Sequence, residues 1–177
     1  VVPRYGRIRT RPGLQAAVAT GPGARLSGGM SFKTVAGVQK VAAATLTKWF
    51  SLGANTWTDI SGAFSFTNDA DNPARFAIFP ASGINWLIGV NNTDIPKKWD
   101  GTSAALVSVG GTPPIAKDVT VAGNFVVLGN VVEAGVRSPS RIRVSDFNNM
   151  DSWVQYAAAD LTDSNDDIVA VRALSRT

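Results

Sequence analysis

The stretch KKWDGTSAALVSVGG, Lys97 to Gly111, repeats in outline the earlier stretch TKWFSLGANTWTDISG, Thr47 to Gly62. Placing Lys48-Trp49 over Lys98-Trp99 and Gly62 over Gly111, with one residue of slack in the turn, brings Trp57 over Leu106 and Ile60 over Val109. A third copy reads RVSDFNNMDSWVQY, where Trp153 stands in the place of Trp57 two periods later. A period of about fifty residues constrains the fold more than any other feature. One supersecondary unit must be built several times, and each copy buries its apolar faces only when its neighbours stack on it.

The units read as short strands divided by Gly, Asn, Asp and Pro. GMSFKTV, VQKVAAAT, TKWFSL and TWTDIS form the first, ARFAIFP, INWLIGV, PKKWDG and ALVSV the second, and AKDVTVA, FVVLGNV, SRIRVSD and SWVQY the third. The second strand of each unit follows a glycine, at Gly37, Gly83 and Gly123, and is apolar almost without alternation. Such runs suit strands covered on both faces. After DLTDSNDD, the run IVAVRAL starts like a fourth unit. The expected fold is therefore all-β, a propeller-like array of four-stranded antiparallel blades at about 29–62, 72–111 and 113–158, with a fourth beginning at 166–177. Because three and a fraction blades close no ring, the chain reads as part of a longer polypeptide or as one completed by another chain.

Residues 1–28 read as a basic arm with one short strand, since Pro3, Pro12, Pro22 and five glycines oppose a long helix. Residues 1–48 carry eight Lys or Arg and no acid, while the other 129 hold nine basic and 13 acidic residues. Arg7, Arg9 and Arg11 alternate with Ile8 and Thr10, so an extended strand puts them on one face. With Arg4 they are the candidate contacts to DNA phosphate or to acidic patches on a neighbouring subunit.

Composition narrows the chemistry. Cysteine and histidine are both absent, and Glu133 is the single glutamate. Thiolate catalysis and Cys-ligated metals are excluded, and the commonest general base is missing. Asp163, Asn165 and Asp167 are spaced like the start of an EF-hand loop, but Ile168 stands where glycine is required and Leu174 where the bidentate acid belongs. GPGARLSGG fits neither phosphate-cradling glycine pattern. No catalytic residue, cofactor or metal ligand is nominated. No apolar run reaches 18 residues, so no membrane-spanning helix is read. Trp49, Trp57, Trp99 and Trp153, at repeat positions, are assigned to blade anchoring by ring burial, and Trp86 to the core.

SDFNNMDSW and LGANTWTD resemble the Asp-box turns of sialidase-type propellers, which keeps open a carbohydrate-binding or glycosidase-type propeller. The order of PRYGRIRTRPGLQ, VQKVAAATLTKWFSLGANTWTDISG, LIGVNNTDIPKKWDGTSAALVSVGG and PSRIRVSDFNNMDSW resembles the β-propeller proteins of bacteriophage tails, particularly the nozzle or hub proteins of short-tailed phages, also called packaged-DNA stabilisation proteins. That resemblance spans essentially the whole chain. It implies a virion structural protein without catalytic activity, assembled with copies of itself in a ring beneath the portal and its adaptor, among other tail proteins, around a channel for double-stranded DNA. A general DNA-binding β protein using the arginine arm is the third reading.

Overall fold

The computed structural model describes residues 2–4, 7–9, 21–53, 55–161 and 166–173, and among these it is all-β, without helix. β1 (Val2–Arg4) and β2 (Arg7–Arg9) form a two-stranded ribbon. Three four-stranded antiparallel sheets follow, each laid down in chain order. Sheet one is β3 (Leu26–Lys33), β4 (Gln39–Thr45), β5 (Trp49–Leu52) and β6 (Trp57–Asp59). Sheet two is β7 (Arg75–Ala81), β8 (Ile84–Val90), β9 (Lys97–Trp99) and β10 (Val107–Ser108). Sheet three is β11 (Ile115–Ala122), β12 (Phe125–Glu133), β13 (Val136–Val144) and β14 (Ala159–Asp160).

The glycines that open each second strand act through φ. Ser82 and Gly83 both sit at positive φ, at 51° and 72°, in the two-residue loop between paired Ala81 and Ile84. That is the mirror-image turn whose twist matches flanking strands. Ala134 and Gly135 make the same turn between Glu133 and Val136, with alanine held at a φ of 48°.

Sheets one and two enclose a core of Phe32, Ala42, Ala44, Trp49, Ile60, Phe66, Leu87, Trp99 and Leu106. Trp49 stacks on Phe66 at 5.3 Å and meets Phe76 edge-on at 4.7 Å. The far edge of its indole lies where a side chain on Gly89 would begin, so glycine is what lets the ring reach β8. Sheets two and three enclose the second core, built on Phe79, Ile88, Val90, Val109, Val119, Val126, Leu128, Met150 and Trp153. β8 is thus buried on both sides, with Leu87 and Gly89 turned to sheet one and Ile88 and Val90 to sheet three. β7 lies against β3 on one side and β11 on the other, β11 also meets β8, and beside the last strands of sheets one and two the Leu106 N–H donates to the Ile60 carbonyl at 2.8 Å.

Residues 166–173 belong to no strand ladder, yet they close the far face of sheet three. Ile168 and Val171 cover Gly129, the Asn130 amide donates to the Ile168 carbonyl at 3.1 Å, and Ile168 N–H donates to the Pro139 carbonyl at 3.0 Å.

Several expectations change. The arm holds two paired strands instead of one, and β3 starts at Leu26, inside the segment read as arm. The fourth strand of sheet three is Ala159–Asp160 instead of SWVQY. Residues 152–156 have their backbone groups taken by side chains. Arg143 donates to the carbonyls of Trp153 and Tyr156, and Asp146 accepts the Gln155 N–H at 2.7 Å. The Lys-Trp echo is also displaced in register. Trp49 pairs with Ala44 and faces sheet two, whereas Trp99 pairs with Leu87 and faces Phe32 of sheet one. A slip of one residue sends a side chain to the opposite face, so the two indoles enter the same core from opposite sides. The end of the repeat keeps its register: Ile60 and Val109 are both buried, and Gly62 and Gly111 both take positive φ.

Candidate partner and nucleic-acid interface

The ribbon register sets Arg4 directly across from Arg7, and Arg9 across from Val2. Residues opposite one another in an antiparallel pair share a face, so the three arginine positions occupy one face of the ribbon while Pro3 and Ile8 occupy the other. The pairing of β1 with β2 places Arg4 there, a neighbour that the spacing of β2 alone did not reveal. Arg11 lies outside the described residues.

The four tryptophans divide. Trp49, Trp99 and Trp153 are 2%, 3% and 3% exposed and belong to the two cores. Trp99 donates its indole N–H to the Ser103 carbonyl at 2.8 Å, and Trp153 to the Met150 carbonyl at 3.0 Å. Trp57 is half-buried on β6 and lies in neither core. Trp86 is half-buried against the second core, with the Lys98 ammonium 4.8 Å from its ring centroid.

Most described carboxylates organise turns. Asp100 accepts the amides of Thr102 and Ser103, each at 2.7 Å, and its carboxyl sits below the ordinary range because these bonds and the Ser103 hydroxyl outweigh burial. Asp59 is lowered in the same way by Lys48 and Ser61 against the opposing effect of burial. Glu133 is held between Arg141 at 3.1 Å and Arg143 at 2.9 Å, and Arg141 also grips Asp160 through two bonds of 2.6 and 2.7 Å. These partners raise Arg141 further above its already high range. Asp163 and Asn165 of the EF-hand-like spacing lie outside the described residues, and Asp167 pairs with Arg137 at 3.1 Å. Among the described residues, no group of three or more acids is arranged for a metal ion.

One clasp joins sheets two and three. Asp151, in the β13–β14 connection, pairs with Lys98 of β9 and accepts the Gly110 N–H at 2.6 Å. The Lys98 side chain is 11% exposed, so its charge is satisfied mainly by this carboxylate and the Trp86 face. Lys97 points to the other side, donating to the Ser108 hydroxyl at 2.8 Å and lying 3.7 Å from the Phe64 ring centroid. Burial lowers its pKa, with Asp94 opposing. Sequence reading missed the Lys98–Asp151 clasp, because a charged pair 53 residues apart leaves no local pattern. Comparison of the chain with protein-family models, curated proteins and solved structures finds no match.

Proposed function

We propose that this chain is a propeller segment of a virion structural protein in the tail of a short-tailed phage, working through subunit contacts around a conduit for the genome and not through catalysis. The observation carrying the reading is that the first strands of neighbouring sheets meet, β7 lying against both β3 and β11. In this reading the three sheets are blades that converge at their first strands about an axis, as four-stranded sheets do in a propeller. Such a body hides strand edges and resists deformation, which suits a particle containing compressed DNA.

In this reading the ribbon is the contact element. Its arginine face meets either duplex phosphates or an acidic surface of the next subunit in a ring, beneath the portal and adaptor. The sugar-binding alternative draws less support, because Trp49, Trp99 and Trp153 are enclosed in cores and present no stacking platform.

Two experiments test the proposal. Electron cryomicroscopy of virions whose tail protein carries a density marker on this segment should place it in a ring below the portal; absence from purified particles refutes the assignment. Replacing Arg4, Arg7, Arg9 and Arg11 with alanine should impair incorporation if they bind protein, or leave assembly normal with altered genome retention if they bind DNA. Unchanged behaviour in both assays removes the ribbon from the account.

A further inference from the structure

Where the first strands converge there is a cavity of about 400 Å³, bounded by Ser27 and Gly28 of β3, Arg75 of β7, Asp118 of β11 and Arg172 of the 166–173 segment. Each of β3, β7 and β11 is the outermost strand of its sheet on that side, so its outer edge turns unpaired backbone groups outward from the ladder. Asp118 is buried, its side chain 2% exposed. It accepts the Val171 N–H at 2.8 Å and Arg172 Nη1 at 2.6 Å. That same Nη1 lies 2.5 Å from the Val171 carbonyl, and the Arg172 side chain remains 60% exposed.

Arg75 is exposed, and its side chain forms no hydrogen bond or ion pair among the described residues. The cavity wall thus carries two guanidiniums, of which Arg172 is held by the Asp118 carboxylate. A concave wall of this kind concentrates positive potential, and a planar guanidinium fork matches the oxygens of an oxyanion. The sequence carries the same sign at each convergence point. A small or apolar residue and then a base recur as Ala24-Arg25 just before β3, Ala74-Arg75 and Ala116-Lys117 at the starts of β7 and β11, and Val171-Arg172 near the end of the closing segment. Ala74, Ala116 and Val171 are buried, so the repeat sets the depth of the basic residue that follows each one.

We infer that this cavity binds a phosphate group, with Arg75 as its principal ligand and Arg172, held in place by Asp118, as the second. The inference is independent of the tail assignment. The volume leaves room for the anion with part of its hydration shell, since each water occupies about 30 Å³.

The test is titration of the purified chain with sodium phosphate at constant ionic strength, against sodium chloride, followed by ¹H–¹⁵N spectra. Saturable shifts are expected at the Arg75 and Arg172 Nε–H signals and at the amides of Gly28 and Gly29. Arg75→Gln should weaken binding at least tenfold with the remaining spectrum unchanged, while Lys48→Ala, which removes a cation paired with Asp59 elsewhere, should not alter it. A short DNA duplex that displaces phosphate identifies a backbone phosphate as the source; failure to displace identifies the free ion, and either supports the site. Non-saturating shifts, or equal affinity in Arg75→Gln, overturn it.

Discussion

Replacing Gly89 with alanine puts one methyl group where two sheets touch. The new Cβ would lie 2.1 Å from Trp49 Cη2, 2.5 Å from Cζ2 and 2.9 Å from Phe76 Cε1. Carbon atoms rest at about 3.5–4.0 Å, so the indole must retreat by roughly 1.4 Å. It has nowhere to go, because Phe66 is stacked behind it and Phe76 stands against its edge. Overpacking of this kind costs about 1–3 kcal/mol, against which alanine recovers about 0.5–1 kcal/mol of backbone entropy. The net cost is then up to about 2.5 kcal/mol, and with a urea slope of about 2 kcal/mol/M the midpoint should fall by up to roughly 1.2 M. The decisive assay is a double-mutant cycle with Trp49→Phe. The indole N–H has no hydrogen-bond partner among the described residues, so phenylalanine loses only volume there. In that background Gly89→Ala should cost at least about 1 kcal/mol less, the range expected for touching residues. Additive costs would show that Trp49 and Gly89 do not meet, and the packing of sheet one on sheet two would be wrong.

Truncating Asp151 to alanine leaves Lys98 with little but the Trp86 face and frees the Gly110 N–H, and should cost about 1–3 kcal/mol in urea unfolding, more than truncation of the exposed Asp167. Ala134→Gly relieves a left-handed alanine in the β12–β13 turn and should stabilise by up to about 1 kcal/mol, read as a higher urea midpoint. The Ser152 hydroxyl, aided by the Gln155 and Val154 amides and Arg143, holds the Asp146 carboxyl below its usual range despite the opposing effect of burial. A lowered folded-state value contributes stability that is present above the unfolded value of about 3.9 and lost as pH falls through the folded one. Loosening of residues 146–156 should therefore begin below about pH 4, seen as broadening of their amide signals, and Asp146→Asn should remove that component.

Strand content was legible because its signals are local. Gly37, Gly83 and Gly123 mark turns through φ, and the apolar runs at β8 and β12 declare two covered faces. What the sequence concealed depends on register or on distance along the chain. Lys48-Trp49 and Lys98-Trp99 match letter for letter, yet the ladder offsets them so that the two indoles face opposite ways. SWVQY has strand composition, but Arg143 and Asp146 take its backbone groups before a ladder can. Arg4 joins the face of Arg7 and Arg9 only through the pairing of β1 with β2. The basic cavity was visible in part, as an apolar–basic pair at each first strand, but the convergence of Arg75, Asp118 and Arg172 requires three segments to be brought together.

The central claim is that the three sheets fan out from their first strands, and distance measurement by electron spin resonance tests it directly in a chain with no native cysteine to mislabel. Labels at Ser31 of β3 and Lys117 of β11 bracket β7, so with sheets stacked about 10 Å apart they should report roughly 20 Å. Labels at Thr58 of β6 and Ala159 of β14 should report a clearly longer distance. An outer distance equal to or shorter than the inner one would mean a flat stack or a different arrangement, and the propeller reading would fall with it.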